Sequence, residues 1–290
     1  GWSTVPMFDD GTNGDVVAGD YVYTAVLPGA LQVHRRLVRY KISFADALGN
    51  AQSVPYADDE QPNFAYFTYA GVPAWTGAMR PTAFNGSPAT TPETYPSSLL
   101  ESIAPFHLIA RAADVADCQY NGTYQNSRFY GTVVHRGKVY DHIQFRVRGQ
   151  GSTYLTGKNK WNVYFNRSRD YQAYDDLGRP FQETWNNILV NANASPWAAV
   201  NRGAAGVEEA VSNRIYEVAG MAAMRTTYLH LRVIDDAAEA SPTSQYEGDL
   251  WGLYLGIEPS EGNFLDERGL EDGNIYAIEA NAGDKKRQSP

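Results

Sequence analysis

The chain has 290 residues, of which 43 % are hydrophobic and 20 % are charged, and its formal net charge is −9. A length in this range predicts about two domains, each able to bury a core of its own. The acidic balance argues against general binding to nucleic acids or anionic membranes, which attract basic surfaces. No apolar run of about 18 residues is present, so no segment is predicted to span a membrane.

The single cysteine, Cys118, excludes an internal disulfide and fits a buried thiol in any compartment. No signal-like apolar segment follows Gly1, so the chain is expected to be cytosolic, already processed or a fragment. The chain has 20 tyrosines and 6 tryptophans, and such a high aromatic content is common in extracellular β-proteins. An extracellular or cell-surface location is therefore the expectation.

Residues 1–72 have the pattern of a β-rich module. Strand-like runs at 21–27, 37–45 and 63–69 are separated by glycine and Asx turn formers. Short strands at this spacing predict an all-β sandwich of the immunoglobulin or fibronectin type III kind. Residues 73–100, rich in proline, serine and threonine, predict a linker or strap, with the domain boundary near Gly71.

An acidic loop near the N-terminus allows two interpretations. Its side chains could supply oxygen ligands to calcium, although the 12-residue EF-hand pattern is absent. They could equally cap a turn by accepting hydrogen bonds from backbone N–H groups. The residues concerned are Asp9, Asp10, Asn13, Asp15 and Asp20.

The most informative stretch is residues 140–166, which predicts two strands joined by a glycine-bearing connector. Residues 142–148 alternate, so that one face carries apolar side chains and the other carries Arg146 and Arg148. Alternation resumes at 160–165, where Lys160 lies opposite in parity to Trp161. Such a cationic face suits an anionic ligand, most simply phosphate, but it is also typical of a solvated hairpin. Neither GxGxxG nor GxxxxGK[ST] is matched.

The second half of the chain adds a helix and more strands. Strands are predicted at 105–110, 129–134, 185–191, 226–234 and 250–258. Residues 203–220 predict an amphipathic helix, with Glu208 and Glu209 in its first turn, where the helix dipole favours anions.

Three motifs in this half resemble the CotH kinase family, the atypical kinases similar to spore coat protein H. The first is FRVRGQGS…GKNKWNVYFN, an R-x-R-G segment followed by a lysine-bearing strand, with Gln150 where asparagine is common. The second is the helix VEEAVSNRIYEVAG. The third is GDLWGLYLGIEPSEGNFLDERGLEDGNIYAIE. The resemblance runs from about Pro105 to Glu279 and implies that residues 101–290 form a kinase-like domain, truncated at its C-terminus, with an α+β N-terminal lobe.

The resemblance also implies site residues. Lys158, with Lys160 as the alternative, would hold nucleotide phosphates and pair with Glu209, for which Glu208 and Glu217 are alternatives. Arg146 and Arg148 would contact phosphate. Glu258 would have a structural or adenine-proximal role.

The implied activity of the complete protein is phosphorylation of protein serine or threonine with ATP and Mg²⁺. The chain itself is expected to be inactive, because the family's metal-binding carboxylates lie beyond the last motif. Two alternatives remain open: a non-catalytic extracellular structural or adhesive protein, and a module that binds calcium or carbohydrate. The protein substrate and the oligomeric state are not predicted.

Overall fold

The computed structural model describes residues 1–78, 80–83, 86, 88–120, 127–149, 158–192, 206–236, 238–241 and 243–275. The chain divides into two compact units, Gly1–Gly71 and Val72–Pro290. Within the described ranges, no helix is both long enough and apolar enough to cross a bilayer.

The N-terminal unit contains two antiparallel sheets of two strands each. Its strands are β1 (Arg36–Tyr40), β2 (Ile42–Ala45), β3 (Ala51–Val54) and β4 (Phe64–Thr68). β1 pairs with β4, and β2 pairs with β3. The run predicted as a strand at 21–27 contributes only an isolated bridge, between Thr24 and Phe8. The sandwich expected for residues 1–72 stays a prediction.

The second unit begins with the proline-rich segment, which forms a short hairpin. Its strands are β5 (Trp75–Gly77) and β6 (Glu93–Tyr95), and the helix α1 (Ser97–Leu100) follows. Gln245 connects this segment to the rest of the unit through hydrogen bonds with Ala78. Its side-chain amide accepts a hydrogen bond from the Ala78 N–H at 2.8 Å and donates one to the Ala78 carbonyl at 3.0 Å.

Seven strands then close into a barrel in the order β10-β11-β13-β12-β7-β8-β9, with β9 paired to β10. The strands are β7 (Pro105–Ala110), β8 (Phe129–His135), β9 (Lys138–Arg148), β10 (Lys160–Tyr164), β11 (Asn187–Asn191), β12 (Thr226–Ile234) and β13 (Leu250–Ile257). The helices are α2 (Ala112–Gln119), α3 (Val207–Val218) and α4 (Gly262–Asp266). All neighbouring strands are antiparallel except β7 and β12.

The barrel interior is filled by the apolar positions that alternate along each strand. Ile143, Phe145 and Val147 of β9 are buried, as their spacing predicts. Trp161 and Val163 of β10 lie opposite Val147 and Phe145 in register and are buried with them. Period-two alternation therefore separates the core from the outer face on these two strands.

The prediction of an α+β kinase-like lobe for residues 101–290 is wrong. The structure is mostly β, with a closed seven-stranded barrel and only 13 % helix. Closure comes from β12, which pairs in parallel with β7 and so joins strands far apart in the sequence. In addition, α3 buries none of its residues, and its predicted packing positions Val211 and Ile215 are about half exposed or more.

Candidate functional site

The alternating strand directions bring several predicted site residues to one end of the barrel. β9 ends at this end with Arg148, and β10 begins there. β11 and β12 end there, at Asn191 and Ile234, and β13 begins there at Leu250. We call it the Arg148 end. Arg148, Asn191 and the start of β10 thus lie at the same end of the barrel although they are distant in sequence.

The outer surface of β9 and β10 is basic, as their alternation predicts. Arg148 lies opposite Lys160 in register, and Arg146 lies opposite Asn162. Both arginines and Lys160 are only partly exposed. We call Arg146, Arg148 and Lys160 the basic face. Guanidinium groups offer forked N–H donors that match phosphate oxygens, so this arrangement suits an anionic ligand.

Arg128 extends the basic surface and was not singled out from the sequence. Its guanidinium lies over the Tyr164 ring, 3.8 Å from the centroid, and donates a 3.1 Å hydrogen bond to the Gln144 side chain. The Asn162 amide donates to the Tyr164 hydroxyl at 2.8 Å. Arg128 immediately precedes β8, where no alternation marks which way its side chain points.

Helix α3 brings Glu209 to the basic face. The Asn191 amide donates a 2.5 Å hydrogen bond to the Glu209 carboxylate. Burial lowers the pKa of Lys160, the neighbouring charge of Arg148 lowers it further, and the charge of Glu209 opposes both. Glu209 therefore acts electrostatically on Lys160, the alternative lysine of the sequence prediction.

The two alternative glutamates of α3 have other neighbours. Glu217 forms ion pairs with Arg214 and Arg225. Glu208 lies close enough to Tyr228 to help raise the pKa of that phenol, after the larger effect of burial.

Lys158 does not share the outer face with Arg146 and Arg148. Its ammonium donates a 2.6 Å hydrogen bond to the Leu253 carbonyl and lies 4.3 Å from the centroid of the Tyr254 ring. Tyr254 is fully buried in the barrel core. The Lys158 ammonium is therefore turned toward the end of the core, and burial lowers its pKa to about 8.

Glu258 lies at the end of the barrel opposite Arg148, because it follows the last residue of β13. Its fully buried carboxylate accepts two hydrogen bonds from Arg268, at 3.0 and 2.7 Å, and one of 2.8 Å from the Arg225 backbone N–H. Of the two predicted roles, this geometry favours the structural one.

The acidic loop of the N-terminal unit contains one group of three carboxylates, from Asp9, Asp15 and Asp20, whose oxygens lie within 4.8 Å of one another. The same side chains accept backbone hydrogen bonds. Asp9 accepts from the N–H groups of Gly19, Asp20 and Tyr21, and Asp15 accepts from that of Gly11.

The other two predicted calcium ligands take part in local turns. Asp10 accepts from the backbone N–H and hydroxyl of Thr12, while the Asn13 amide donates to that hydroxyl. These bonds agree with the capped-turn interpretation.

The resemblance implies two groups at the barrel, ATP and Mg²⁺. ATP is a substrate, and the basic face offers the donors that its phosphates need. Mg²⁺ prefers several oxygen ligands in near-octahedral geometry. Within the described part of the barrel unit, no three acidic, histidine or cysteine side chains lie close enough to share an ion. The described residues of the barrel unit therefore supply donors for phosphate, and magnesium would need only one or two carboxylates together with phosphate oxygens and water.

No protein-family model matches the chain, and no match to a curated protein was found. The connector at 150–157, the helix start predicted at 203–205 and the end of the third motif at 276–279 lie outside the described residues.

Proposed function

We propose that the barrel unit binds the phosphate groups of ATP on the basic face, and that the complete protein is a CotH-like protein kinase. Its reaction would move the terminal phosphoryl group of ATP to a serine or threonine hydroxyl. A new P–O bond forms at that hydroxyl, and the bond between the terminal phosphorus and the oxygen that bridges it to the next phosphorus breaks. ADP leaves with that oxygen, and the hydroxyl proton passes to water.

The observation that carries this proposal is the pairing of Arg148 with Lys160 beside Glu209. Two neighbouring cations at partly buried positions repel each other, and an anion placed between them would relieve that repulsion. Glu209, held by Asn191, lies near enough to Lys160 for its charge to raise the pKa of that ammonium. The kinase activity itself is supported by the three motifs that resemble the family.

The experiment measures binding of tripolyphosphate and ATP by isothermal titration calorimetry in EDTA, so that no metal contributes. Charged hydrogen bonds contribute about 1.5 to 3 kcal/mol each, so Arg148→Gln and Lys160→Gln should each weaken binding roughly tenfold or more. Arg136→Gln is the matched control, because Arg136 follows β8 at the opposite end of the barrel. Equal affinities for all three variants would contradict the proposal.

A non-catalytic, extracellular structural or adhesive protein is the second candidate. It is favoured by the contacts of Lys158, which tie the family's expected phosphate-binding lysine to Leu253 and Tyr254. Incubation with labelled ATP, Mg²⁺ or Mn²⁺ and a generic serine/threonine acceptor separates the two candidates. Label transfer that Lys160→Gln abolishes would support the kinase. ATP binding without transfer, by this chain and by any longer native form of the protein that contains it, would support the second candidate.

A further inference from the structure

Helix α3 turns its apolar side chains away from the barrel. Its four aliphatic residues recur at spacings of four, four and three, which places them on one side of the helix. They are 49 to 74 % exposed, and we call them the α3 stripe: Val207, Val211, Ile215 and Val218. A surface helix normally buries such a stripe against the core of its own domain. The orientation of α3 is therefore inverted.

The side of α3 that faces the barrel is polar instead. Glu209 accepts a hydrogen bond from Asn191, the last residue of β11. Glu217 forms an ion pair with Arg225, which immediately precedes β12. Each glutamate is two residues away from a member of the α3 stripe, about 200° around the helix axis. Polar contacts thus hold the helix against the described part of the barrel, and its apolar side faces solvent.

Exposed apolar side chains continue beyond the end of the helix. Met221 is tied to the last turn, because its N–H donates a 2.9 Å hydrogen bond to the Tyr216 carbonyl. Met221 is exposed, and so is Met224. Methionine adapts its shape to what it contacts and is over-represented at binding surfaces. Clustered apolar surface of this kind marks an interaction site in soluble proteins.

We propose that the α3 stripe is the interface of a homodimer, in which two copies of α3 pack antiparallel about a two-fold axis at Ile215. In such a pair, Ile215 contacts its counterpart in the second copy. Val211 lies four residues before the axis and Val218 three residues after it, so each faces the other across the interface. The stripe is therefore complementary to itself, as a two-fold interface requires. This interface does not depend on nucleotide binding at the basic face.

The charges beside the stripe favour the antiparallel arrangement. Arg214 and Glu217 lie three residues apart on the same flank of the stripe and form an ion pair within one copy. In an antiparallel pair about Ile215, this flank faces the same flank of the second copy. Arg214 of each copy then lies opposite Glu217 of the other, one residue before the axis against two residues after it. Opposite charges meet twice, which fixes the register of the two helices.

Sedimentation equilibrium measures the association. A single helix pair buries less than the roughly 1,600 Å² of a standard interface, so we expect a dissociation constant on the order of 10 to 100 μM. Ile215→Glu sets two carboxylates against each other at the axis and should weaken the dimer by about 30-fold or more. Arg214→Gln removes only two exposed ion pairs and should weaken it by about two- to tenfold. Leu177→Glu is the matched control, because Leu177 is a 77 % exposed leucine of the same unit.

A cross-linking experiment tests the position of the axis. Ile215→Cys places two thiols on the axis, so air oxidation should join the two copies through a disulfide. Leu177→Cys should stay monomeric on a non-reducing gel, and the native Cys118 is buried. Thermal melting checks that each variant is folded. A monomeric native chain at 100 μM, about the top of the expected range, would overturn the proposal.

A dimer that survives Ile215→Glu, or that Ile215→Cys does not cross-link, would also overturn the proposal, because a different surface would then hold the copies together. A longer native form that contains this chain gives a further test. If that form stays monomeric while this chain dimerises, its added segment covers the α3 stripe, and a second copy is the wrong occupant.

Discussion

Replacing Glu258 with glutamine is expected to destabilise the barrel unit without touching the basic face. The native carboxylate is fully buried and accepts two hydrogen bonds from Arg268 and one from the Arg225 N–H. Glutamine keeps the shape, but it removes the charge and turns an N–H donor toward the guanidinium. Breaking a buried ion pair from one side costs about 3 to 5 kcal/mol, because the remaining charge stays buried and uncompensated. We expect the free energy of unfolding to fall by this amount.

Urea unfolding followed by tryptophan fluorescence measures this loss. Glu247→Gln is the matched control, since Glu247 is exposed in the same unit. The double variant Glu258→Gln, Arg268→Met should recover part of the loss, because it removes both charges. A loss no larger than that of the control would refute the structural role. An unchanged stability together with weaker adenosine binding would instead support the adenine-proximal role.

Three further predictions concern buried groups. Burial lowers the pKa of Lys158 to about 8, so between pH 8 and 10 this lysine is protonated in the unfolded protein and largely neutral in the folded protein. The free energy of unfolding measured in urea should therefore rise with pH over this range. Lys158→Met should flatten that rise. Burial, with a smaller effect of Arg136, lowers the pKa of His135 to about 3. His135 should therefore contribute a fall of about 2 to 3 kcal/mol in the free energy of unfolding from pH 7 to pH 4.5, so the fall should be smaller by about that amount in His135→Asn. Burial raises the pKa of Cys118 to about 12. Because the thiolate is the reactive form, iodoacetamide at pH 8 should label Cys118 quickly in urea and slowly in the folded protein. Fast labelling of the folded protein would contradict this.

Local sequence patterns predicted the strands of the barrel well. The predicted strands at 105–110 and 226–234 coincide with β7 and β12. The alternation in β9 correctly separated the core residue Phe145 from the outward-facing Arg146. These features are predictable because the two-residue period of a strand depends only on its own backbone.

Site positions outside the regular strands could not be predicted in this way. Lys158 has the same parity as Lys160, yet its ammonium reaches the Tyr254 ring at the core end. It precedes the first residue of β10, so strand alternation does not constrain it, and a long lysine side chain can follow either surface.

The sequence by itself determined the apolar and basic faces of β9 and β10 and placed Glu209 in a helix. Only the tertiary structure decided that β12 pairs with β7 and closes a barrel. It also decided that Glu258 forms an ion pair with Arg268 and that the charge of Glu209 raises the pKa of Lys160. The physical reason is that alternation is the same in an open and a closed sheet. Closure and ion pairing depend on contacts between residues far apart in the chain, whose free energy appears only once those strands meet.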